Sequence, residues 1–402
     1  MSQTVEKAVV DSGDVLPYDT GNRRIPELDG LRGLAILLVI ICHYIADASH
    51  PPLGFIADHL ITILDLGWSG VDLFFVLSGF LIGGILLGSR NSRNYFRTFY
   101  LRRVHRILPV YYSWILFYVV LVSICVYSSL RPIIMTPPGI ALASQDLAIV
   151  PKYLLFLQNI LYSPRPFEWQ WFVVTWSLAV EEQFYLIAPP LIRWVSQRIL
   201  MVILCLTVIA APVLRYVSFV YFPQLDHFAQ FSMPCRADAL SLGILAAIAW
   251  RSNAVRSFLQ RNPGILQRTT VYLAVCIVAL LWWLVRPPNV VTVTAGYSVL
   301  AFFYVSLLLL VLSQTDSFVA RCMRIAPLRR LGGISYCVYI IHLTINELGH
   351  RFLMHQEPDL SHWQGILITC TALVLTLTIA SLSWKFFEKP LIRRGHRFAY
   401  DP

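Results

Sequence analysis

The chain has 402 residues, 57% of them hydrophobic and 13% charged, with a mean hydropathy of +0.64 and a formal net charge of +10 at pH 7. A soluble domain carries about 25% charged residues, so this composition excludes an ordinary soluble enzyme and points to a polytopic membrane protein. The positive balance calls for no nucleic-acid partner, because arginines gather in the cytoplasmic loops of membrane proteins.

Residues 1–24 are polar, hold no apolar core, and read as a cytoplasmic tail rather than a cleavable signal peptide. Apolar runs near the bilayer-spanning length of about 20 residues occur at 31–49, 68–88, 107–130, 170–192, 198–219, 234–250, 269–286, 294–313, 332–349 and 364–384. They predict an all-α transmembrane bundle of ten spans, one membrane domain over 25–390, with no room for a large soluble module. The stretch 151–162 is apolar but too short to cross, and reads as a re-entrant or interfacial piece. With the N-terminus inside, 25 of the 32 Lys and Arg residues fall on inside segments. This bias supports ten spans with both termini in the cytoplasm, and the expected location is the inner (plasma) membrane.

The longest outer loops, 131–169 and 350–363, suit a lid or an acceptor-binding surface. In WKFFEKPLIRRGHR, an interfacial helix is expected to break at Pro390, followed by a basic cytoplasmic tail at 391–402. Eight cysteines are scattered without a CxxC pair, so neither a zinc site nor a disulfide framework is indicated, and no metal is expected.

Polar residues interrupt this apolar background at a few places. Arg32 and His43 lie eleven residues apart in LRGLAILLVIICHY, on one helical face and about 16 Å apart along the axis. Such residues inside a span normally face the protein interior, so the pair predicts a polar track from one membrane face towards the middle. Alternatively, Arg32 is an interfacial anchor and His43 a hydrogen-bonded packing residue. YFRTFYLRRVHRILP (95–109) holds four arginines and no acid. Arg103 and Arg106, three apart, would project together towards one anion such as a phosphate, unless they merely anchor the helix. WSLAVEEQFYL places Glu181 and Glu182 within an apolar span, about 100° apart around the helix, so at most one faces a given site comfortably. Either could orient an imidazole, hold an arginine or bind an acceptor hydroxyl. MPCRADALSLG adds Arg236 and Asp238, SYCVYIIH puts Ser335, Tyr339 and His342 on one stripe, and FFEKP carries Glu388.

These motifs, in this order, resemble the membrane-bound acyltransferase-3 family over about Ile25 to Pro390. LDGLRGLAILLVIICHY resembles its Arg-x10-His signature, GVDLFFVLSGFLI its second-span motif and LRRVHRILP its Arg-x-x-Arg motif, with WSLAVEEQFYL, RADALSLG, GGISYCVYIIH and FFEKP at the remaining landmarks. The resemblance implies an integral membrane O-acyltransferase with no permanently bound cofactor. It would carry an acyl group, most often acetyl, from cytoplasmic acyl-CoA to a hydroxyl of a carbohydrate acceptor, a surface polysaccharide or glycolipid; a macrolide-like natural product is the alternative acceptor. It implies His43, Arg32 and Glu181 as catalytic, Arg103 and Arg106 as donor-binding, and Glu182, Arg236, Asp238, Tyr339 and His342 as acceptor-binding. Many members carry a further extracytoplasmic hydrolase-like domain after the last span, and this chain ends soon after FFEKP, so the membrane domain is expected to handle the acceptor alone or with a partner. The same polar residues in ten spans would also suit a secondary transporter, although no internal repeat is evident.

Overall fold

The computed structural model describes residues 25–49, 54–126, 150–161, 172–223, 226–284 and 289–401. The expected tail at 1–24 and most of the outer loop at 131–169 lie outside them. Among the described residues there is no strand. The first helices are α1 (Pro26–Ile41), α2 (Phe55–Asp65), α3 (Gly70–Gly88), α4 (Tyr95–Val126) and a single turn, α5 (Val150–Leu154). The middle of the chain forms α6 (Thr175–Trp194), α7 (Gln197–Tyr221), α8 (Asp226–Phe231), α9 (Met233–Arg251), α10 (Asn253–Arg261) and α11 (Pro263–Leu284). The last are α12 (Tyr297–Ser313), α13 (Phe318–Met323), α14 (Ala326–Met354), α15 (Trp363–Ser383) and α16 (Lys389–Gly395).

Among the described residues, eight helical stretches are long and apolar enough to cross a membrane. Two more helices, α6 and α14, lie where the spans at 170–192 and 332–349 were expected, with 20 and 29 residues. Both carry charged side chains within their length, and both pack into the bundle. The protein is an all-α, multi-pass membrane bundle.

Two boundaries differ from expectation. Helix α14 runs on to Met354 and ends on His355 in the left-handed conformation, so the outer loop is shorter than 350–363. Pro390 does not break the last helix: α15 passes through a π-helical turn, Trp384–Glu388, and Pro390 sits in the first turn of α16. An N–H is dispensable in a first turn, and the π turn shifts the hydrogen-bond register ahead of it. As expected, the described part of the stretch at 151–162, residues 151–161, does not cross: it forms one helical turn and then reverses at Phe156, with a positive φ. Its buried Gln158 donates to the carbonyl of Thr175 (2.9 Å) and Asn159 pairs with Gln183 (3.1 Å), so the piece is pinned against α6 rather than crossing.

Two glycine crossings set the core. A Cβ on Gly332 would lie 1.9 Å from the Asp29 carbonyl oxygen, and one on Gly33 would lie 2.0 Å from that of Leu328, so α1 and α14 touch backbone to backbone. Gly79 and Gly243 do the same for α3 and α9. Close approach at small residues is how helices associate where lipid removes the usual hydrophobic drive.

Candidate active site

A cavity of about 180 Å³ lies between α1, α3, α4, α6 and α14. Its polar wall is Arg32, Arg103, Arg106, Glu181 and Ser78, with Tyr185 and Tyr339; Phe74, Leu81 and Ile85 are among its apolar lining. Arg32 comes from the first turns of α1, and Arg103 and Arg106 from the start of α4, so the Arg-x-x-Arg spacing does bring both forks to one place. Glu181 lines the same wall. Its Oε1 accepts from Ser78 Oγ (2.6 Å) and its Oε2 from the Tyr185 hydroxyl (3.0 Å), which holds the carboxylate still. Arg103 stacks over the Tyr185 ring at 5.7 Å, and its buried Nε has no hydrogen-bond partner.

Glu182, one residue on, does not line the cavity, and its buried Oε1 has no hydrogen-bond partner. The 100° step between adjacent positions gives the two glutamates different surroundings.

The cavity stops at Tyr339. Its hydroxyl lies 2.7 Å from Ser177 Oγ and donates to the Val174 carbonyl at 2.9 Å, tying α14 to the start of α6. Behind that ring sits His342, fully buried, with ring centroids 6.0 Å apart. His342 Nε2 lies 3.0 Å from His43 Nδ1. His43 belongs to a π-helical turn, Cys42–Ala46, that continues α1. Its other nitrogen, Nε2, lies 4.0 Å from a carboxylate oxygen of Asp47, whose side chain is half exposed.

Arg32 and His43 therefore sit on one helix but not in one cavity. The continuous track expected from their spacing is interrupted by Tyr339 and His342, because α14 packs along α1 and inserts both rings between the two positions. His342 touches His43 itself.

Arg236 and Asp238, expected at the acceptor site, are placed elsewhere. Arg236 pairs with Asp72 on α3 (2.7 Å) and lies 3.9 Å over the Tyr297 ring, whereas Asp238 pairs with Arg215 on α7 (2.8 Å) and accepts from Ser298 (2.7 Å). All four charged groups are buried. Neither residue lines the cavity, and their partners leave them structural ties between helices. Sequence reasoning missed Ser78, Tyr185 and Ser177. Ser78 lies inside the quoted motif GVDLFFVLSGFLI and Tyr185 inside WSLAVEEQFYL, so polar side chains in apolar runs were the available signal.

Among the described residues, one group has metal-ligating chemistry: Cys42, His43 and Asp47, whose ligand atoms lie within 4.8 Å of one another. Tetrahedral zinc bonds of about 2.0–2.3 Å need ligand atoms about 3.5 Å apart. The His43–Asp47 gap is wider than that, and the Cys42 thiol faces Asp65 at 3.7 Å. The group does not form a closed site as it stands.

A family model described as an acyltransferase domain, acyltransferase-3, matches residues 25–385. The chain belongs to that family. It is 28% identical over 387 residues to the peptidoglycan O-acetyltransferase OatA of Listeria monocytogenes, covering 92% of this chain and 56% of that protein. It is 25% identical over 395 residues to the O-acetyltransferase OatA of Staphylococcus aureus, covering 94% of this chain and 59% of that protein. The chain thus spans a little over half the length of these curated relatives. No solved structure matches it significantly.

Proposed function

We propose that this protein is a membrane O-acyltransferase. It would move an acetyl group from cytoplasmic acetyl-CoA to a hydroxyl of a carbohydrate acceptor, most simply a cell-wall glycan of the kind the relatives' names specify. The observation that carries this reading is the arginine triad. Arg32, Arg103 and Arg106 converge on one cavity, and none makes an ion pair within the described residues. Uncompensated arginine forks are suited to phosphate oxygens. The triad sits at the end of the bundle where the basic loops gather, which we assign to the cytoplasm of the inner membrane, with both termini there.

A cavity of about 180 Å³ is small beside ordinary ligand pockets of 300–1,000 Å³. It suits a slender pantetheine arm better than a nucleotide, which would stay at the basic mouth. Tyr339 must then swing aside to let the thioester reach His43. His43 acts as general base: it takes the acceptor hydroxyl proton while that oxygen attacks the thioester carbonyl carbon. The C–S bond breaks, and the departing CoA thiolate takes that proton from His43, which returns to its neutral form. Glu181, held by Ser78 and Tyr185, keeps the arginine side chains ordered between turnovers.

The test is acetyl transfer from labelled acetyl-CoA by the purified protein. His43→Ala should abolish transfer while acetyl-CoA still binds; near-normal turnover would remove His43 from the mechanism. Uptake of a solute into proteoliposomes with no acetyl transfer would favour a transporter instead.

A further inference from the structure

His342 was grouped with the substrate-binding residues, yet it lies buried behind Tyr339 and does not line the cavity. Its hydrogen bonds give it a different task. Nδ1 of His342 lies 2.8 Å from the Tyr339 carbonyl oxygen and 3.1 Å from that of Val338. Carbonyl oxygens only accept, so this nitrogen carries the proton. A doubly protonated, cationic ring is excluded by its surroundings: the side chain is 0% exposed, and its recorded polar neighbours are a second imidazole and backbone carbonyls. In the neutral ring Nε2 is then bare and can only accept. Its partner at 3.0 Å is His43 Nδ1, which must therefore be the donor.

We infer that His342 is a positioning residue that locks His43 in the Nδ1–H tautomer, leaving Nε2 as the basic nitrogen. This rests on the reading of His43 as the general base. Nε2 faces the half-exposed Asp47 at 4.0 Å, too far for a hydrogen bond between them. The gap admits a hydroxyl donating to Nε2. Once protonated, the ring gains Asp47 as a nearby counter-charge. The lock is rigid because His342 is anchored twice over: its ring to its own helix, and its backbone carbonyl to the Tyr44 hydroxyl (2.8 Å), next in chain to His43. In the serine-protease template a wrong tautomer at the base costs about 10⁴ in kcat.

The experiment combines histidine ¹⁵N NMR with kinetics on the full chain. His43 signals are assigned by their loss in His43→Gln. The wild type should show a protonated Nδ1 and a bare Nε2 at His43. In His342→Gln the amide oxygen stands near the place of Nε2 and can still accept, so tautomer and kcat should persist within about fivefold. In His342→Asn, too short to reach, His43 should show mixed tautomers and kcat should fall by about 100-fold, with the KM for acetyl-CoA unchanged. A wild-type His43 protonated at Nε2 overturns the inference whatever the variants do. So does a His342→Asn protein with wild-type kcat. The NMR readout needs no turnover, so failure of the acyltransfer reading is scored separately.

Discussion

Two sets of arginines sit inside this bundle, and they differ in their partners. Arg215, Arg236 and Arg351 each meet a carboxylate, on Asp238, Asp72 and Glu347. Arg32, Arg103 and Arg106 share one wall of a cavity with a single glutamate, whose oxygens are already taken by Ser78 and Tyr185. A buried charge is costly unless compensated. Each member of the matched set therefore has its counter-charge, and the Arg215 and Arg236 pairs join different helices. The unmatched set lines the cavity and forms no ion pair among the described residues. The arginines of the first set also account for three of the seven basic residues that fall outside the inside segments: they are buried and paired with carboxylates, so the loop-charge rule does not govern them.

The sharpest way to break this contrast is to orphan one matched arginine. Asp72→Asn should leave Arg236 buried without its counter-charge and cost about 3–5 kcal/mol, read as a fall in the thermal unfolding temperature in detergent. Asp72→Asn with Arg236→Met should recover much of the loss. On the unmatched side, Arg103→Gln with Arg106→Gln should weaken acetyl-CoA binding by about 10–100-fold, on the scale of about 1.5–3 kcal/mol for hydrogen bonds to charged groups. Calorimetric titration measures it, and the unfolding temperature should hold or rise. An equal loss of acceptor and donor binding would make these arginines simple anchors.

Gly332→Ala places a methyl group against the Asp29 carbonyl. Forcing α1 and α14 apart should cost about 1–3 kcal/mol, and turnover should fall more than donor affinity, because the crossing sets His342 against His43. The smallest effect is expected at Glu182→Gln. This side chain lies outside the cavity, so donor affinity should change less than about twofold.

Much of the architecture was legible in the chain. Hydropathy marked the apolar spans because lipid contact demands apolar side chains all round: only 11% of the Pro263–Leu280 span is buried, against 78% of Asp226–Arg251. The exceptions are instructive. Helices α6 and α14 are long but are not among the eight strongly apolar stretches, and they carry Glu181, Ser177, Tyr339 and His342. A span shielded from lipid is free to hold polar groups, so weak hydropathy inside a membrane protein marked the site-bearing helices. Spacing was equally informative for Arg103 and Arg106, three apart on a continuous helix. It failed for Arg32 and His43, since a shared face says nothing about what a neighbouring helix inserts between them.

The order of apolar runs, the charge asymmetry of the loops and the positions of polar residues within spans are sums over neighbouring residues, and the chain determined them alone. Which arginine found a carboxylate, and which histidine met His43, depended on contacts 164 and 299 residues apart. Those were decided where glycines let helix backbones touch, since such close approach sets register to within an ångström or two and a hydrogen bond tolerates no more.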